Sequence, residues 1–172
     1  WIMKVLQVRS VPQGRAALVR GLVTELTWYE PGQKPGYSVL LQAGSDLYAF
    51  PQTGEGEARA FLAELAQGGR SLLTADALLL DGPLSRGKVW GEDRTREDRL
   101  YLWTVEDLRA RTLVIPGLSP RRVSAARIAY RTQGDASGLE VAPGVGILSW
   151  TYEHRGTPAG VDVTLVRCRN LP

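Results

Sequence analysis

Few side chains in this chain have both the type and the spacing to do chemistry. His154 is the only histidine. A centre of two or three imidazoles is therefore impossible within one chain, which removes the common copper and catalytic zinc sites. A Ser–His–Asp triad needs three converging partners, and no G-x-S-x-G elbow accompanies His154, so a strand-end histidine is expected. Cys168 is likewise the only cysteine. It excludes an internal disulfide and a multi-thiolate metal site, and reads as a small core or interface residue. Gly144 and Gly146 lack the third glycine of a dinucleotide fingerprint. The residues after them, Ile147-Leu-Ser-Trp-Thr-Tyr-Glu-His154, alternate with a period of two, so a turn into a strand is expected and not a phosphate cradle. No metal site, cofactor or catalytic set is predicted.

Carboxylates are the only catalytic type in supply. Glu92, Asp93, Glu97 and Asp98 flank Arg94, Arg96 and Arg99, a charge mixture that suits a solvated loop. Asp81, Glu140 and Asp162 carry no local signal. A carboxylate-based hydrolase stays open as the alternative function, since the spacing of such a pair is spatial. Arg121, Arg122, Arg127 and Arg131 could form a basic strand face, but Tyr130 falls on the opposite side from Arg127 and Arg131. With a net charge of only +3, a nucleic-acid-associated domain is the weaker alternative.

The elements that must position these residues are mostly strands. The 172 residues are 44% hydrophobic and 23% charged, ordinary for a globular protein. No window approaches the roughly 20 apolar residues of a membrane-spanning helix. The opening WIMKVLQVRS shows no signal-peptide pattern. Period-two segments predict strands at 18–28, 37–43, 46–50, 100–106, 109–115, 122–132, 139–142, 145–154 and 161–168, separated by Gly- and Pro-containing turns. Ala58, Phe61, Leu62 and Leu65 fall at helical spacing, with Glu55 and Glu57 at the start and Gly68-Gly69 at the end, and predict one helix over 55–67. The segment 71–80 is ambiguous. The expected fold is mainly β: a curved antiparallel sheet, half-barrel or sandwich, with one packing helix, in a single domain over residues 1–172. In the strand at 145–154, Leu148, Trp150, Tyr152 and His154 are expected on one face.

Three segments carry a resemblance. Pro83-Leu-Ser-Arg-Gly-Lys-Val-Trp90 is similar to the P-L-x-x-G-x-x-W turn-into-strand of uncharacterised bacterial envelope proteins and lipoproteins of DUF3108-like or LolA/LppX-like β type. Residues 104–129 resemble their paired strands. Val141-Ala-Pro-Gly-Val-Gly-Ile-Leu-Ser-Trp150 resembles their Y-A-P-G-V-G-L-V entry to the penultimate strand. The departures are Val141 in place of an aromatic, Pro116-Gly-Leu-Ser119 in place of an A-G-x-F step, and the helix near 55–67 as an insertion. The resemblance implies an extracytoplasmic domain, in the periplasm or cell envelope, without assigned catalysis. Its partner would be a lipid-like ligand or an envelope protein. A curved sheet closed by a helix leaves an apolar concavity, and Trp28, Trp103, Trp150 and Tyr152 are the candidates to line it.

Overall fold

A computed structural model of the chain describes residues 1–27, 32–68, 73–91, 94–116, 119–156 and 159–167. It is mainly β, with one α-helix among the described residues. Its contacts divide the chain into two compact units, Trp1–Glu25 with Glu30–Pro83, and Leu26–Tyr29 with Leu84–Pro172.

The first unit is an antiparallel five-stranded sheet in sequence order, β1 (Lys4–Val11), β2 (Gly14–Arg20), β3 (Tyr37–Ala43), β4 (Asp46–Gln52) and β5 (Leu78–Leu80). Its helix α1 (Glu55–Ala66) starts and ends within a residue of where the spacing puts it. Glu57 at its first turn accepts from the Thr53 backbone N–H at 2.9 Å, placing negative charge at the positive end of the helix. Ala58, Leu62 and Leu65 on α1 pack with Ala16, Leu18, Val39 and Leu41 of the sheet, and all of these are buried. The ambiguous segment resolves as the short strand β5 at its described end.

One strand here was not expected, and one expected strand ends early. Residues 4–11 form a strand that alternation did not announce, because its apolar residues are not confined to one face. The expected strand 18–28 stops at Arg20. Gly21 takes φ +74, a region open to glycine, and its N–H donates to Gly36 O at 2.8 Å. The chain turns there into a 3₁₀ turn at Val23–Glu25.

The second unit is an antiparallel six-stranded sheet, again in sequence order: β6 (Val89–Gly91), β7 (Leu102–Leu113), β8 (Arg121–Arg131), β9 (Asp135–Ala142), β10 (Gly146–His154) and β11 (Ala159–Thr164). Gly144 (φ +73) and Gly146 (φ +98) form a turn that feeds β10, as expected. The expected strands 100–106 and 109–115 are one strand, β7, with a bulge between Val105 and Asp107. A second bulge lies between Ile147 and Ser149. An extra residue in one strand reverses the phase of everything on one side of it. Leu148 therefore leaves the face of Trp150 and packs instead with Leu113, Val123, Ala125 and Ala142. The expectation that it shares a face with Trp150, Tyr152 and His154 is corrected by that bulge.

Candidate functional site

Antiparallel pairing sets residues opposite one another on the same sheet face. Followed across the second sheet, the register Trp90↔Trp103↔Tyr130↔Ser137↔Tyr152↔Val161 builds one row over all six strands. Six local segments must each present the right residue, and only their pairing lines them up. Trp90 is fully buried, and its ring stacks on Trp103 at 6.3 Å between centroids and 14° between planes. Trp103 and Tyr130 are half-buried with ring centroids 4.9 Å apart. The separations lie in the range of favourable aromatic pairs. The indole N–H of Trp90 has no acceptor among the described residues.

The next row on the same face is Val105↔Ile128↔Leu139↔Trp150↔Val163. Trp150 is 3% exposed, and its indole N–H donates to Leu26 O at 2.9 Å. That bond satisfies the one polar atom of a buried ring, so Trp150 is an anchor of the core floor below the row. Trp103, Trp150 and Tyr152, three of the four expected lining residues, thus share one face. Trp103 and Tyr152 keep exposed ring surface; Trp150 does not. Trp28 lies outside the described residues, as does Cys168.

A polar cluster closes the tyrosine end of the row. The Tyr152 hydroxyl donates to Asp135 Oδ1 at 2.8 Å, and His154 Nδ1 lies 2.7 Å from the same oxygen. Thr132 Oγ1 accepts from the Asp135 N–H at 2.9 Å, fixing the turn that carries the carboxylate. His154, then Tyr152, hold the Asp135 carboxyl below the usual carboxylate range. The same contact pushes the Tyr152 phenol up, because it donates to a carboxylate. A His–Asp pair becomes a nucleophile-activating set only with a hydroxyl or thiol at the second ring nitrogen. Here the backbone of Gly156 lies against that nitrogen: a Cβ on Gly156 would sit 2.9 Å from Nε2. The cluster orients Tyr152 and ends the strand.

The opposite face of the same sheet carries the arginines. Glu140 is 6% exposed and is clamped by Arg111 and, at 3.3 Å, by Arg109. Glu106 takes Arg131 at 2.7 Å and Arg127 at 3.4 Å. Tyr130 is in the aromatic row on the other side, as the sequence alternation requires. The basic strand face is thus laced with carboxylates, and its aromatic neighbour does not converge on it. In the loop before β7, Arg96 and the Leu100 N–H hold the Asp98 carboxyl down to about 2. Glu92 and Asp93 lie outside the described residues. Among the described residues no group of three or more His, Cys, Asp or Glu side chains is placed to hold a metal ion. No helix among them is long and apolar enough to cross a membrane.

Sequence reasoning did not single out Trp90, Tyr130, Asp135 or the Glu140 clamp. Trp90 sits on a three-residue strand, too short to show a period. Tyr130 stands between Arg127 and Arg131 in the sequence, and Asp135 opens its strand directly after Gln133-Gly134. No family model, curated protein or solved structure matches this chain.

Proposed function

We propose that this chain is a non-enzymatic binding module, extracytoplasmic as its envelope-protein resemblance implies, that holds a lipid-like or otherwise apolar ligand on the aromatic row. The observation that carries the reading is the continuous register from Trp90 to Tyr152, with Trp103, Tyr130 and Tyr152 leaving ring surface accessible beside a polar end. An exposed aromatic row offers apolar area at low entropic cost, and the Asp135–Tyr152–His154 cluster supplies a place for a headgroup. The hydrolase alternative draws no comparable support, because Glu140, Glu106, Asp98 and Asp135 are all engaged by Arg or His.

Tryptophan fluorescence during titration with oleate tests it. Saturable quenching is expected, lost in Trp103→Ala while Trp150 emission persists. Quenching that is linear in oleate, or unchanged by Trp103→Ala, would overturn the reading. Native mass spectrometry of the protein from its own source gives a second readout: a co-purifying lipid supports it, and a clean apo monomer counts against it.

A further inference from the structure

The open edge of the first sheet carries its own signal. β1 is the outermost strand of that sheet, and apolar side chains project from it without cover. Val5 is 59% exposed, Val8 49% and Leu6 38%, and Ile2 just before the strand is 66% exposed. Edge strands are normally blunted by inward charges, proline or an overlying element, because their unpaired N–H and C=O groups template another strand. Val5 and Val8 leave apolar surface exposed along this edge.

Register separates its two faces. Gln7 is opposite Leu18 and Arg9 opposite Ala16, on the helix side. Lys4, on that side too, is directly opposite Arg20. Val5 is opposite Val19 and Val8 opposite Ala17, on the other side. Between Trp1 and Arg20 the sequence holds Lys4, Arg9, Arg15 and Arg20 and no Asp or Glu. Like charges directly across a strand pair are destabilising. The nearby Glu55 is already bound by Arg59 at 2.6 Å, and Arg20 Nε is buried without a partner. The helix side of this edge therefore has surplus positive charge and the other side surplus apolar surface.

We propose that β1 is the docking edge for an extended segment of another protein, a strand whose side chains alternate between carboxylate and apolar. Added to β1, such a strand satisfies the open backbone groups, sets its carboxylates beside Lys4 and Arg9, and covers Val5 and Val8. Two rival occupants fit less well. Pairing of β1 with a second copy of itself brings cations against cations. A lipid surface leaves the edge N–H and C=O groups unsatisfied. The proposal concerns the first sheet and stands whether or not the aromatic row of the second binds a ligand.

The test uses the full chain and labelled peptides about eight residues long, a usual strand length. One alternates Glu and Val, one alternates Lys and Val, and one holds the Glu and Val in separate blocks. The alternating acidic peptide is expected to bind about tenfold tighter than either control and to weaken with salt. It should slow amide exchange across 5–10 and lose affinity to the Val5→Glu, Val8→Glu double variant. Equal binding of the three peptides, or unchanged exchange in β1, overturns the proposal. So does binding to phosphatidylglycerol vesicles that the peptide does not displace, or a concentration-dependent dimer that the double variant abolishes. The exchange measurement on the parent protein decides the matter even if the double variant fails to fold.

Discussion

The two sheets solve the same burial problem with different side chains. The first covers one face with α1 and packs Leu18, Val39 and Leu41 with Ala58, Leu62 and Leu65, beside the buried ring of Tyr48 and the Phe50–Phe61 pair. The second has no helix among its described residues and sets rings on one face, Trp90, Trp103, Tyr130 and Trp150. Rings also carry polar atoms. Trp150 donates its N–H to the Leu26 carbonyl, while Trp90 has no acceptor among the described residues.

Their outer edges differ in the same instructive way. β11 alternates properly, with Val161 and Val163 half-buried and Asp162 and Thr164 exposed. Asp162 is a charge on the edge, the usual protection. β1 leaves Val5 and Val8 in water instead.

The largest expected effect lies in the aromatic sheet. Trp90→Ala should cost about 3–5 kcal/mol in chemical denaturation, the range for emptying a buried ring. Trp90→Phe should cost far less, since it removes the unpaired N–H along with part of the ring; an equal loss would mean that the N–H has a partner. In the first sheet, Leu62→Ala should cost about 2–4 kcal/mol and leave the near-ultraviolet signal of the second sheet's tryptophans unchanged. Loss of that signal would show that the two units unfold as one. Glu140→Gln should cost about 1–2 kcal/mol, discounted because Arg109 and Arg111 are part-exposed, and should leave those cations unneutralised. A stability gain would show the clamp to be dispensable.

The smallest effect is on acid sensitivity. An Asp held below its unfolded value, near 3.9, stabilises the fold fully above that value, and the benefit disappears as pH falls through the folded one. For Asp98 the window runs from about pH 4 down to about 2. Asp135, also lowered, adds in the same direction. Asp98→Asn should flatten the urea midpoint across that window, and Asp135→Asn should do so to a lesser degree. Midpoints that follow the parent's pH dependence would remove these contacts from the account.

The strand-rich class, the helix at 55–66 and the absence of a motif around His154 were all legible in the residues. They rest on periods of 2 and 3.6 and on turn chemistry, which act within a few neighbouring positions. The phase of Leu148 and the end of the first long strand at Gly21 were not legible. A bulge and a closing hydrogen bond from Gly21 to the Gly36 carbonyl depend on partners distant in sequence. The same is true of the candidate site. Trp103, Trp150 and Tyr152 could be singled out as large apolar residues on strands, but Trp90 and Tyr130 joined them only through pairing.

The sequence by itself determined which segments become strands, which becomes the helix, and that neither an imidazole cluster nor a disulfide is available. Only the tertiary structure decided which aromatic stands next to which, which carboxylates are neutralised, and which edge is left open. Backbone preference is a property of a few adjacent residues. Register, burial and charge pairing are properties of strands that meet from far apart in the chain.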